Sequence, residues 1–344
     1  MRPCTLRGHP AQGAISVHCT ARRARWNSCR TLQGSAISRW TADMMIGGDD
    51  LITDDSIIVD GNAKINLTLD ILGKRPDGYH EVAMVMQSIG LHDTVKLSKI
   101  PRGIELVLDV PGLEADEQNL AWRAAQLLLG GEETPGGVRI ELTKRIPIAA
   151  GLAGGSADAA AVLRGVNALY HLGLTQEELC AYGAKLGSDI PFCIMGGTMM
   201  ATGRGEVLEA LSPVPSFWVV LAKPKISVST AWAYRNYDEQ GTEVHPDNAA
   251  IREKIAGHDR EGIASLLCNV LERVTIKQYP VIAQYKAWMM EKGALASMMS
   301  GSGPTVFGLF SSEGEAQSAA AYLEERTDAD IFVCQTADKN HDEN

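Results

Sequence analysis

Three groups of residues in this sequence have the types and spacing for chemistry on a phosphate. The densest is the run Pro147, Ile148, Ala149, Ala150, Gly151, Leu152, Ala153, Gly154, Gly155, Ser156, Ala157. A proline ends the preceding segment, three glycines fall within five residues, and a Ser-Ala-Asp step leads into an alanine-rich stretch. Glycine lacks a Cβ and reaches positive φ, so backbone N–H groups can close around a bulky anion. Ser156 is the expected N-cap, and the helix behind it would present unpaired N–H groups and a positive dipole end. No Gly-Lys-Ser/Thr closes the loop and no Gly-x-Gly-x-x-Gly runs through it, so it is neither the common P-loop nor the dinucleotide fingerprint. Taken alone, it is equally compatible with a tight turn before a helix.

The second group is Lys64 and Asn66, which share one face of an early strand by the period of two. The third is Asp189, an acid in the apolar run Ile190-Pro191-Phe192 just after a helix. A phosphoryl transfer needs a donor held and neutralised, and a hydroxyl deprotonated and aimed in line. Asp189 is the candidate base, and Lys64 the candidate cation that favours an ionised base and offsets transition-state charge. Taken separately, the better reading of Asp189 is a helix-end capping acid and of Lys64 a surface lysine. Their order around the glycine loop favours the joint reading.

The elements that must position these groups follow from local patterns. Strands are expected at 56–60, 63–72, 82–91, 94–98, 104–109 and 137–143, with a tight reversal at Arg75-Pro76-Asp77-Gly78. Helices are expected at 119–129, at 156–170 with an apolar stripe of Ala160, Leu163, Val166 and Leu169, and from Thr175 with its capping-box partner Glu178. A short strand at 196–203 precedes a linker at 213–215. A second unit then has strands at 217–222, 295–299, 304–310 and 331–334, several helices to residue 291 and one at 313–325. Between two of its strands lies a second glycine loop, Ser300-Gly301-Ser302-Gly303.

At 344 residues the chain can bury a large core and is expected to form two domains. A net charge of −10 argues against nonspecific nucleic-acid binding, and no apolar run is long enough to cross a bilayer. Seven scattered cysteines without a Cys-x-x-Cys pair read as reduced thiols, not as a disulfide framework or a zinc site. These features predict a soluble, cytoplasmic α/β protein. Residues 1–42 stand apart, with seven arginines, no lysine and no acid. Two readings fit them: an organellar transit peptide, which would place the protein in a plastid, or an extension upstream of a start at Met44 or Met45. Either way, 1–44 is expected to be a disordered basic extension and 339–344 a polar tail.

Three motifs in order, Ala63-Lys64-Ile65-Asn66-Leu67, the loop 147–157 and Ser300-Gly301-Ser302-Gly303-Pro304, resemble those of the GHMP small-molecule kinases. The resemblance covers nearly the whole chain from about residue 57 to 334. It implies an α/β (α+β) two-domain fold, with a ribosomal-S5-like N-terminal ATP-binding domain over 45–212 and a C-terminal α+β domain over 213–338. It also implies ATP with Mg2+ in a cleft between the domains. Within the family, Lys74-Arg75-Pro76-Asp77-Gly78-Tyr79-His80 and Leu186-Gly187-Ser188-Asp189-Ile190-Pro191-Phe192 are similar to a branch acting on the 2-hydroxyl of a cytidine-diphosphate-linked methylerythritol in the non-mevalonate isoprenoid route.

Carried over by position, the resemblance makes Lys64 and Asp189 the catalytic pair. It makes 147–157 the triphosphate loop and places Asn119, Leu120 and Lys144 at the adenine pocket. Asn66, Tyr79, His80, Thr230 and Tyr234 would hold the acceptor, with the Tyr234 ring on cytosine and His80 at its polar edge. Two departures stand out. Ala149, Ala150 and Ala153 occupy positions where relatives often carry glycine, and Ser156-Ala157-Asp158 leaves magnesium coordination by a loop side chain open. The protein is expected to act as a monomer or weak homodimer without membrane or nucleic-acid partners. The alternatives are another GHMP kinase, acting on mevalonate, homoserine or a sugar, and a non-catalytic nucleotide-binding regulator.

Overall fold

The computed structural model describes residues 55–110, 113–131 and 136–338. The expected extension 1–44 and tail 339–344 lie outside the described residues. The chain opens with β1 (Ser56–Asn66), β2 (Thr68–Lys74), β3 (His80–Ile100) and β4 (Ile104–Leu108), then α1 (Leu120–Leu129) and β5 (Gly137–Thr143). Next come α2 (Gly154–Leu169), α3 (Gln176–Ala184), α4 (Ile190–Met195), β6 (Thr198–Thr202) and β7 (Val207–Ala210). The remainder holds β8 (Trp218–Lys223), α5 (Thr230–Gln240), α6 (Asn248–Ala256), α7 (Arg260–Ser265), β9 (Cys268–Asn269), α8 (Glu272–Gln278) and α9 (Val281–Glu291). It ends with β10 (Ala296–Met299), β11 (Val306–Phe310), α10 (Glu313–Glu324) and β12 (Asp330–Gln335).

In β1, Ile57, Val59, Ala63 and Ile65 alternate into the core. Each fully buried Ile or Val of this kind contributes about 1.5–3 kcal/mol. The spine of the first sheet is β3, 21 residues long. The sequence predicts two strands here, 82–91 and 94–98. The structure has one, because His92 and Asp93 keep their pairing with Asn62 and Gly61 of β1. One edge of β3 pairs antiparallel with β1 and β2, and the other with β5 and β6. Outer partners β4, β7 and β9 extend it to eight strands. The second sheet runs β10-β11-β8-β12, all antiparallel.

Every strand of the first sheet except the two-residue β9 precedes residue 212, and all four of the second follow it. The two sheets nevertheless share apolar interior. Ala63, Ile65 and Leu67 pack in one cluster with Phe217, Val219, Leu221 and Phe307. Both faces at the C-terminal end of β1 are therefore covered, and Lys64 and Asn66, on the face opposite Ile65, are also buried.

Candidate active site

A cleft of about 1030 Å³ is lined by both glycine loops and by the starts of α1, α2 and α5. Helix starts aim unpaired N–H groups and positive dipole ends at whatever lies there, which suits anions. The α2 start differs from expectation. Its N-cap is Ala153, at φ +60 and with no side-chain cap bond, and Ser156 lies within the helix. A left-handed residue just before Gly154 turns the chain abruptly into the helix, so the cap is made by backbone shape and the first amides are not satisfied by a side chain. Ala149 is also left-handed, at φ +52. The two alanines thus hold backbone conformations that glycine reaches more cheaply, by about 1–2 kcal/mol per residue.

The two glycine loops are built against each other. Ser300 Oγ donates to the Gly151 carbonyl at 3.0 Å, and the Thr305 amide donates to the Ala150 carbonyl at 3.4 Å. Gly151 has φ +77, and a Cβ there would lie 2.3 Å from the Ser300 carbonyl oxygen. Asn269 holds the second loop from behind, donating to the Met299 and Gly301 carbonyls at 2.9 and 2.8 Å. Thr230 Oγ1 and Ser302 Oγ, 3.0 Å apart, tie it to the start of α5.

Lys64 lies where the loops meet. Its Nζ donates to Asn66 Oδ1 at 2.8 Å and is 3.8 Å from Asp189 Oδ2. A Cβ on Gly301 would come within 3.5 Å of it. The Lys64 side chain is 6% exposed and that of Asp189 33%, which removes the surface-lysine reading and leaves the carboxylate open to the cleft. Asp189 occupies the N-cap position of α4 but makes no side-chain cap bond. Its carboxylate is turned toward Lys64 instead, so the capping reading does not hold. Asn66 is fully buried; it accepts from Lys64 and donates to Met84 Sδ at 3.2 Å. It borders the cleft, with its side-chain oxygen engaged by Lys64.

Lys144 borders the cleft too, but its ammonium is occupied. It pairs with Asp93 and, at 2.7 Å, with Asp158 of α2. Asp93 also accepts from the amides of Arg145 and Ile146 at 2.5 and 2.8 Å. Burial pushes the Asp158 carboxyl up to about 7 against the pull of Lys144, and its second oxygen has no partner among the described residues. This buried triad fastens the strand leading into the loop to the helix leaving it. Replacing Lys144 with Met would strand two buried carboxylates, which costs about 3–5 kcal/mol. Asp158 can relieve part of that by taking up a proton. Lys144→Met should therefore lower unfolding free energy by about 3 kcal/mol in denaturant titration.

The remaining expected residues separate by position. Asn119 caps α1 by accepting from the Ala121 amide at 2.9 Å, and with Leu120 lines the same cleft. Pro147, Ile148, Ala149, Ala150, Gly151, Ala153, Gly154, Gly155 and Ser156 all border it. Leu152 and Ala157 do not. Both are buried, and the Leu152 carbonyl accepts from the Lys64 amide at 3.1 Å. Tyr79, His80, Thr230 and Tyr234 line the cleft as well. The His80 and Tyr234 rings are 4.9 Å apart and tilted by 42°. That gap is too narrow for a base, since a ring stacked between two others needs about 7 Å.

Burial and then the charge of Asp189 push the Tyr234 phenol up. Tyr79 is 56% exposed and carries the Arg204 guanidinium 5.1 Å from its ring centre. Several lining residues have no local signal in the sequence. Asp238 and Arg235 on α5 and Arg204 before β7 reach the cleft only through the tertiary arrangement. Lys74 stands within the recognised run, yet its pairing with Asp238 at 3.3 Å crosses 164 positions.

Two family models match the chain, GHMP kinases N terminal domain over residues 119–197 and GHMP kinases C terminal over 249–329. A 4-diphosphocytidyl-2-C-methyl-D-erythritol kinase of Acetivibrio thermocellus is 46% identical over 283 residues, 82% of this chain and 99% of the relative. A relative of the same name from Geobacillus kaustophilus is 51% identical over 257 residues, 74% of this chain and 88% of the relative. Among solved structures, a crystal structure of 4-(cytidine 5'-diphospho)-2C-methyl-D-erythritol kinase superposes with a TM-score of 0.70 at 33% identity, covering 81% of this chain and 99% of the other.

Proposed function

The chain belongs to the GHMP kinase family, and on that premise we propose that it transfers the γ-phosphoryl group of ATP to the 2-hydroxyl of 4-diphosphocytidyl-2-C-methyl-D-erythritol. It is an ATP-dependent kinase of a small-molecule alcohol. The observation that carries the reading is the Lys64–Asp189 pair, 3.8 Å apart, at the meeting point of two glycine loops and open to one cleft.

In this reading the triphosphate lies along 147–157 and the second loop, against backbone amides and the α2 start. Asp189 accepts the proton of the acceptor's 2-hydroxyl, and that oxygen forms a bond to the γ-phosphorus as the bond to the β-phosphate oxygen breaks and ADP leaves. Lys64, positioned by Asn66, stabilises charge on the transferring group. Adenine lies near Asn119 and Leu120, with Lys144 supporting the loop from beneath. Lys74, Arg204 and Arg235 supply positive charge at the end where the cytidine diphosphate would lie.

Magnesium takes phosphate oxygens, waters and one or two carboxylates, not a cage of acids. No cluster of three acids or histidines exists among the described residues. The Ser156 hydroxyl and the Asp189 carboxylate border the cleft and fit that demand. When bound with ATP, the ion would neutralise phosphate charge. We read the protein as acting as a monomer or weak homodimer. No helix among the described residues is long and apolar enough to cross a membrane, and we read the location as cytoplasmic.

The reaction is tested with purified protein, ATP and the cytidine-linked alcohol. ADP release with a new phosphomonoester in the 31P spectrum is expected. No turnover with this acceptor, but turnover with mevalonate, homoserine or a sugar, would overturn the reading. The base end has its own test. Tyr234→Phe should be nearly neutral, and Tyr234→Ala should weaken acceptor binding by roughly 1–3 kcal/mol, with little change for ATP. Tyr234 also packs against a core cluster drawn from both sheets, so thermal unfolding is measured on both variants. An alanine variant that loses stability but keeps acceptor affinity would refute stacking.

A further inference from the structure

We propose that Asp238 is a positioning residue that fixes which nitrogen of His80 carries the proton, and so sets the site's preference for cytosine over uracil. This rests on the reading of the cleft given under Proposed function. Asp238 stands one helical turn after Tyr234 on α5, so the two side chains leave the same face. One carboxylate oxygen is 2.6 Å from His80 Nε2, and the other accepts from Lys74 Nζ at 3.3 Å. Burial raises the Asp238 carboxyl, but the hydrogen bonds from His80 and Lys74 outweigh it and hold it below the usual carboxylate range. An ionised carboxylate only accepts, so Nε2 must donate.

In a neutral imidazole that leaves Nδ1 as a lone-pair acceptor. Among the described residues no hydrogen bond to Nδ1 is seen. The ring's plane is set by Tyr234 on one side and Asp238 at its far nitrogen. An acceptor at the edge of a base lying on Tyr234 suits an exocyclic amine, which cytosine carries and uracil replaces with a carbonyl oxygen. A site built to hydrogen-bond an N–H discriminates strongly against an analogue that lacks it. The reverse arrangement, with Nδ1–H outward, would favour uracil.

The test uses Asp238→Asn, whose amide can turn its NH2 toward Nε2 and release the constraint, with Asp238→Glu as the conservative variant. Calorimetry with CDP and UDP reads base preference without turnover, and steady-state kinetics use the cytidine- and uridine-diphosphate-linked alcohols. Relative to the native protein, the Asn variant should lower the cytidine-to-uridine ratio by roughly tenfold or more. The ATP KM and the unfolding temperature should be unchanged, and the Glu variant should restore the ratio. Nitrogen-15 spectra of the native His80 ring, identified by its loss in His80→Gln, should show protonation at Nε2 with a bare Nδ1. An Asn variant with an unchanged ratio, or a native ring protonated at Nδ1, overturns the proposal. A native protein that prefers CDP yet leaves the cytidine-linked alcohol unphosphorylated counts against the reaction and not against Asp238.

Discussion

Asp189→Asn should reduce kcat roughly 100-fold or more while keeping the affinities for ATP and acceptor within a few-fold. The amide preserves shape but cannot take the hydroxyl proton. Asp189 makes no cap bond in α4, and among the described residues its ion pair is with Lys64, which keeps its bond to Asn66 when the charge is lost, so the substitution should leave the fold largely intact. Steady-state kinetics with both substrates varied, alongside thermal unfolding, separate the effects. Near-native turnover would remove Asp189 from the mechanism. A fall in unfolding temperature matching the fall in rate would make it a structural acid.

Gly151→Ala should be the most disruptive change in the loop. Its φ of +77 disfavours a side chain, and the new Cβ would lie 2.3 Å from the Ser300 carbonyl oxygen and 3.1 Å from that of Gly303. Backbone cannot retreat as a flexible side chain can, so the loops must separate. Strain and overpacking together amount to about 2–5 kcal/mol, and ATP binding should fall with the loss of the paired loops. Gly155→Ala is the informative companion. A Cβ there meets only Leu120 Cδ1, at 3.5 Å, and the residue is exposed to the cleft. That variant should fold normally and weaken ATP binding, because the methyl occupies space beside the triphosphate. Equal stability of the two variants in denaturant titration would contradict the contact between the loops.

Both expectations draw on features already legible in the chain. A period of two placed Lys64 and Asn66 on one face, and a capping box marked the start of α3, where Thr175 and Glu178 make both bonds. The glycine run suggested the anion site proposed above, and the three ordered motifs announced the family. These signals are local, arising within one strand, one helical turn or one loop, so neighbouring residue types record them directly. Where local rules competed, the sequence misled. Serine is the better N-cap by propensity, yet Ala153 takes the position because the loop's left-handed turn is dictated by its contact with the second loop.

The rest was set by packing between distant segments. Lys144, which lines the cleft, is held in a triad with partners 51 residues before and 14 after it. Gly151 meets Ser300 across 149 positions, and His80 meets Asp238 across 158. Nothing in the neighbourhood of either residue encodes such a pairing, because its geometry exists only once two sheets share an interior. The sequence by itself determined the groups available for chemistry: a glycine-rich loop before a helix, a carboxylate, a lysine and aromatic rings. Only the tertiary structure decided which polar groups are engaged by the protein and which remain free for a ligand. Burial makes an unpaired charge costly, so each buried side chain is assigned to the nearest partner the fold supplies.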